Sequence, residues 1–239
     1  MSFIVKIGEN VKLDLQNRVA PQVFESLRSD IISQRLRPGQ RLSEKDVALK
    51  YGVSRTPARE AFIELRECGL VEIFPQRGTF VTKISHAQVE GAQFVREAIE
   101  VAVLNSLLKS PRKAFLEEQE VLVAQQRAAA ADDNFELFLN LDEAFHRAFA
   151  IEIGCERAWI VTENEKAQLD RVRFLNLSTF SPMDELIAQH TTILSALKNA
   201  NAGAADKAIR LHLREVLKVM PKIAADYPQF FESEPDAVD

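Results

Sequence analysis

Three histidines and one aspartate have the residue types and spacing of a metal site. Asp142 and His146 stand four apart, so on a helix both side chains point the same way. His190 and His212 fall in two later segments of helical periodicity. Three imidazoles and a carboxylate converging inside a helical bundle suit Zn²⁺, or Ni²⁺ or Mn²⁺ where waters complete an octahedron. By spacing alone the pattern is common by chance, and a lone helical histidine is usually solvated or satisfied in the core. A second cluster belongs to different chemistry. Residues 52–62, GVSRTPAREAF, put Arg55 and Arg59 four apart beside two hydroxyls. At the start of a helix those arginines share one face, where a guanidinium can read guanine or clamp a phosphate.

Both clusters depend on the elements that carry them. Residues 21–34 repeat apolar positions at Val23, Leu27, Ile31 and Ile32, a helix that Pro38-Gly39 ends. Ser43 is placed to cap a short helix over 43–51, with Asp46 three residues on. Gly52 turns the chain into the next helix, which Ser54 caps and whose first turn tolerates Pro57. Gly69 stops it. Residues 70–75 and 78–83 then read as two strands with Gln76-Arg77 at their tip. Helix, tight turn, helix and hairpin with a basic tip is the order of a winged DNA reader. Beyond Ile84 no strand is expected. Six helices are, over 86–109, 112–131, 134–152, 156–180, 182–199 and 203–226. Ser110-Pro111 and Ser181-Pro182 read as starts, Gly154 and Gly203 as breaks. The expected fold is mainly α, with an N-terminal winged helix-turn-helix (16–84) and a C-terminal all-helical bundle (85–228).

Charge divides the chain in the same way. The 239 residues carry a net −5, yet residues 16–84 hold 12 Lys/Arg against 8 Asp/Glu, and residues 85–239 hold 16 against 25. A basic head on an acidic body suits a DNA reader with a separate second function. Cys68 and Cys155 are too few for a disulfide framework and are expected as small buried hydrophobes. Residues 1–15 lack a signal-peptide core and read as a loosely held arm. No segment is long enough to span a membrane, so a reducing cytoplasm is expected.

The segment "VFESLRSDIISQRLRPGQRLSEKDVALKYGVSRTPAREAFIELRECGLVEIFPQRGTFV" resembles the winged helix-turn-helix of GntR-family bacterial transcription regulators. The resemblance implies DNA contacts from Lys45, Arg55, Thr56, Arg59, Arg77 and Gly78. Arg41 lies near the same surface and is a weaker candidate. The pieces "VREAIEVAVLNSL", "LDEAFHRAF", "IAQHTTILSAL" and "AIRLHLREV" resemble the all-helical C-terminal effector domain (FCD) of the FadR-type branch. That resemblance implies a divalent metal on Asp142, His146, His190 and His212, and the expected ion is Zn, with Ni or Mn as alternatives. It also implies a small organic acid bound beside the metal.

Arg96 can clamp such an acid's carboxylate, or can instead pair with Glu100 four residues on. Arg171 and Arg173 are the next candidates. The function implied is a homodimeric repressor on a palindromic double-stranded operator, released by the acid. The alternative is a helical metalloenzyme with a nucleic-acid tether. It lacks an evident general base or nucleophile near the histidines, since Glu143 is expected to point away from Asp142.

Overall fold

The computed structural model describes residues 13–14, 17–109, 112–180 and 182–233. The arm expected over 1–15 falls almost wholly outside them, as do Ser110, Pro111 and Ser181. The N-terminal unit contains α1 (Val19–Ile32), β1 (Arg41–Leu42), α2 (Glu44–Tyr51), α3 (Arg55–Glu67), β2 (Val71–Phe74) and β3 (Gly78–Val81). Val23, Leu27 and Ile31 of α1 meet Ala58, Ala61, Phe62 and Leu65 of α3 in one buried core. That packing turns the opposite side of α3 outward. Ser43 caps α2 by accepting the Asp46 N–H at 3.4 Å. Gly52 then takes a left-handed φ of 64°, a conformation that favours glycine. Ser54 holds the cap position of α3 in an extended conformation, but its side chain makes no capping bond. The wing has a third strand that periodicity did not announce: β1 pairs antiparallel with β3, Arg41 opposite Phe80. Two residues are too few to show an alternating pattern.

The rest of the chain is helical: α4 (His86–Leu107), α5 (Lys113–Ala131), α6 (Phe135–Glu152), α7 (Glu156–Glu165), α8 (Ala167–Phe180), α9 (Met183–Lys198), α10 (Ala202–Leu213) and α11 (Glu215–Asp226). Two of the six expected helices are each divided. The first divides at Lys166, a residue 3 % exposed, whose ammonium turns inward to Glu143 and Asp170. The second divides at Arg214, whose guanidinium is drawn to Glu97 on α4. Neither break contains Gly or Pro, so no local signal announced it.

Helix α8 is buried nearly all round, the mark of a central helix. Ala167 belongs to the core of the N-terminal unit, while Leu169, Val172 and Leu175 pack on α4 and α11 residues. The C-terminal end folds back on the junction between the two parts. Ile84 donates to the Phe230 carbonyl at 2.8 Å and accepts from the Glu232 N–H at 3.0 Å. Cys68 is half-buried, but Cys155 is exposed. Cys155 follows Gly154 at the start of α7, outside the apolar face. No helix among the described residues is long and apolar enough to cross a membrane.

Candidate nucleic-acid interface and metal centre

The outward side of α3 carries Arg55, Thr56 and Arg59, all exposed. Arg59 donates to Glu44 at the start of α2, Nε to Oε1 at 3.0 Å. The arginine side chain is 66 % exposed, so the pair is weakly held and a phosphate can displace it. Lys45 is exposed beside Glu44. At the wing, the Arg77 guanidinium lies 5.2 Å from the Phe74 ring centroid, and Gly78 has φ 112°. A Cβ built on Gly78 would sit 2.8 Å from Nε of Arg41, which brings β1's arginine against the wing. The candidates form one rim: wing tip, Arg41, the start of α2, the start of α3.

The second site lies in the bundle. Asp142 and His146 come from α6, His190 from α9 and His212 from α10, all four buried. One ligand atom from each lies within 4.8 Å of every other. Nε2 of His212 is 3.0 Å from Nε2 of His146 and 3.3 Å from Nε2 of His190. Oδ1 of Asp142 is 3.4 Å from Nε2 of His190. Phe145 stacks on His190 at 4.2 Å between centroids and walls the cluster on one side.

The outer nitrogens settle the inner ones. Nδ1 of His146 meets Oε2 of Glu100 at 2.6 Å, Nδ1 of His190 meets Oε1 of Gln126 at 2.8 Å, and Nδ1 of His212 meets Oε1 of Gln189 at 2.9 Å. Burial alone would raise the Glu100 carboxyl. The Arg96 charge and the hydrogen bonds from His146 and Arg96 outweigh it and hold the group down to about 2. An ionised carboxylate only accepts, as does an amide oxygen, so each imidazole donates from Nδ1. A neutral ring then keeps its lone pair on Nε2. Burial also keeps two of the rings neutral, pushing His190 down to about 3 and His212 well below its usual range. Three lone pairs and a carboxylate oxygen therefore face one another. With metal–nitrogen bonds of about 2.0–2.1 Å, ligand separations of about 2.9 Å (octahedral) to 3.4 Å (tetrahedral) are needed. The nitrogen pairs at 3.0 and 3.3 Å fit a divalent cation.

Arg173 takes the second oxygen of Asp142 and also donates to Glu143 at 2.6 Å and to Asp170 at 3.0 Å. Burial would lower its pKa, but those carboxylates raise it. Glu143 thus turns away from the histidines into an ion-pair network. A cavity of about 40 Å³ beside the cluster is lined by Arg96, Asp142, Arg173, Asn176 and His212, among others. It has room for about three waters. Arg96 is buried and donates from Nε to Oε1 of Glu100 at 2.6 Å, so the pairing with Glu100 is the one formed. Arg171 is not among the residues lining that cavity. It is fully buried and, among the described residues, bonds only Gln168 Oε1 and leaves Nε and Nη2 without partners. Its helical position points it to a different side of α8 from Arg173.

The sequence does not mark Glu100, Gln126 or Gln189 as parts of the site. Gln189 neighbours His190, and Glu100 is marked by spacing only as a partner for Arg96. Gln126 had no signal, because its role depends on where α5 packs.

Comparison with known proteins gives two successive family matches. The family profile described as "Bacterial regulatory proteins, gntR family" matches residues 19–81, and that of the FCD domain matches residues 93–215. The chain is 38 % identical over 216 residues to the HTH-type transcriptional repressor RspR of Escherichia coli (strain K12), covering 90 % of this chain and 95 % of that one. A putative GntR transcriptional regulator from Rhodococcus sp. RHA1 superposes with TM-score 0.68 at 25 % identity, over 87 % of this chain and 98 % of that one. E. coli McbR/YncC shares the fold with TM-score 0.74 at 18 % identity, over 88 % and 99 %.

Proposed function

The chain belongs to the gntR family of bacterial regulatory proteins, carries an FCD domain and is a transcription regulator rather than an enzyme; we propose that it is a homodimeric repressor whose operator binding is set by a divalent metal and a small organic acid. In this reading residues 16–84 form the DNA-binding domain and residues 85–228 the effector- and metal-binding domain.

Arg55 and Arg59 read base edges, and Lys45, Thr56, Arg77, Gly78 and Arg41 hold backbone phosphate or the minor groove. One reading helix spans only a few base pairs, so two copies on a palindrome are needed for specificity. The exposed, uncharged face of α4 at Gly91, Phe94, Ala98 and Ala102 supports a second copy as partner. Such a protein works where the chromosome is, in the cytoplasm.

The observation that carries the metal reading is the convergence of three Nε2 lone pairs, each fixed from behind by an oxygen on Nδ1. Asp142, His146, His190 and His212 would hold the ion, with Zn²⁺ the best match and Ni²⁺ or Mn²⁺ the alternatives. The bound ion supplies a Lewis-acidic position for a carboxylate. Arg96 and Arg173 line the neighbouring cavity and would orient that carboxylate. An acid bound there would press on α4 and α8, which line the cavity, and movement of α8 reaches the reader. Arg171, off the cavity, is left as a structural cation in this scheme.

The test is elemental analysis of protein purified without chelator, followed by a thermal-shift screen of sugar acids, hydroxy acids and dicarboxylates. A cognate acid should raise the melting temperature of the metal-loaded protein and not of the chelated one. Absence of a stoichiometric divalent ion would overturn the metal reading.

A further inference from the structure

Helix α8 touches both functional halves. At its start, Gln168 donates from Nε2 to the Gly69 carbonyl at 2.7 Å and to Thr82 Oγ1 at 3.3 Å. Those two residues follow the reading helix α3 and the wing. One turn and a half later, Arg173 holds Asp142 of the cluster. Between these points the charges alternate without a gap. Nη1 of Arg173 donates to Oδ1 of Asp170 at 3.0 Å, and Oδ2 of Asp170 accepts from Nη2 of Arg28 at 3.1 Å. Arg28 sits on α1, the helix that packs along α3. The side chains of Arg173, Asp170 and Arg28 are 13 %, 9 % and 15 % exposed, so solvent screens the chain poorly.

We propose that the chain Asp142–Arg173–Asp170–Arg28 is the coupling element through which the cluster sets the position of the DNA reader. The proposal rests on the reading of the cluster as a divalent-cation site. Asp142 is shared: Oδ1 faces His190 and the other oxygen holds Arg173. When Asp142 is drawn towards the imidazoles, its hold on Arg173 weakens. Arg173 then leans on its other carboxylates, Glu143 and Asp170. Asp170 is the acceptor it shares with Arg28 and with Lys166, whose Nζ lies 3.0 Å away. Among the described residues Asp170 is the only carboxylate paired with Arg28. A stronger claim by Arg173 on Asp170 therefore loosens the tie to α1. Short buried pairs either keep or lose a partner, so a shift at Asp142 reaches α1 as a change of partner rather than a graded drift. Arg28 and Asp170 are positioning residues here and touch neither DNA nor the cluster's imidazoles.

The test compares the full-length wild type with Arg28→Gln, Asp170→Asn and the double variant. The probe is Zn²⁺ alone, and the DNA is a duplex selected from a random pool by the wild type. Operator affinity is measured Zn²⁺-loaded and chelated, with Zn²⁺ binding measured separately. The wild type should show a loaded-to-chelated affinity ratio of about fivefold or more, and DNA should change its Zn²⁺ affinity by the same factor. In either single variant the ratio should collapse towards one while Zn²⁺ still binds. The double variant should add nothing, as expected for one shared path. Arg28→Lys, which keeps the cation, should restore part of the ratio, and a general loss of packing would not be rescued in this way. Arg28→Gln or Asp170→Asn retaining the wild-type ratio would overturn the relay and leave the cation site standing. A wild type that binds Zn²⁺ but shows no ratio would also overturn the relay. A wild type that binds no Zn²⁺ would remove the cation reading and the relay with it.

Discussion

Glu100 Oε2 lies 2.6 Å from Nδ1 of His146, and this contact decides which nitrogen of His146 faces the cluster. A carboxylate behind a ligating imidazole fixes its tautomer and raises its basicity. Glu100→Gln should therefore raise the Zn²⁺ dissociation constant by about 10–100-fold while leaving the four ligands in place. Competition against a chromophoric chelator measures this directly. An unchanged constant would mean that His146 does not need Glu100 for its orientation.

Chelation should lower the melting temperature of the wild type, since an ion bound only by the folded chain stabilises it. A His190→Ala variant should melt lower from the outset and respond little to chelator. Calorimetric scans of both proteins with and without chelator separate the two cases.

The chelated protein should lose stability on acidification in two stages. His190 in the fold is held down to about 3, whereas the free side chain titrates at 6.5. Below pH 6.5 the unfolded chain therefore binds more protons than the folded one. Stability is complete above that pH and declines as pH falls towards about 3. Glu100, held down to about 2 from 4.5, adds a second loss as pH falls from 4.5. Urea midpoints taken from pH 8 to pH 4 should decline with an onset near pH 6.5. A flat profile through pH 5 would place the histidines in contact with water.

At the DNA rim, Arg55→Ala and Arg59→Ala should each cost about 1–3 kcal/mol of operator affinity and relax selectivity at the base pair concerned. Lys45→Ala should weaken all sequences alike and reduce the salt slope by about one. Fluorescence anisotropy titrations at several salt concentrations distinguish base reading from phosphate contact. Full operator affinity in Arg59→Ala would remove that residue from the recognition surface.

For the effector, Arg96→Met should keep operator binding but abolish release by the cognate acid. It also leaves Glu100, among the described residues, with only His146 as partner in a buried site. A loss of roughly 3–5 kcal/mol in stability is therefore expected. Assaying the variant well below its melting temperature separates the two effects. Release at the wild-type acid concentration would shift the anchoring role to Arg173.

The reader was legible in the sequence because its signals are local. A cap at Ser43, a left-handed Gly52 and the four-residue spacing of Arg55 and Arg59 act within one or two turns of chain. The buried stripe of Ala58, Ala61, Phe62 and Leu65 then determines which side of α3 faces out. The four-residue cluster was nameable for a related reason. Asp142 and His146 share a face by helical geometry alone, His190 and His212 fall in later helical segments, and the resemblance implies that the four act together as ligands. Only the tertiary structure decided the rest. The breaks at Lys166 and Arg214 arise where long side chains reach carboxylates on other helices, Glu143 and Glu97, and nothing local marks them. Gln126 reaches His190 across 64 positions of chain, and Arg28 reaches Asp170 across 142. Arg171 and Arg173 are two residues apart on one helix, and the sequence ranked them together. Helical geometry sends them to different sides of α8, one beside Asp142 and the other into a contact with Gln168. Spacing determines which side chains share a face; only the packing of helices determines what that face meets.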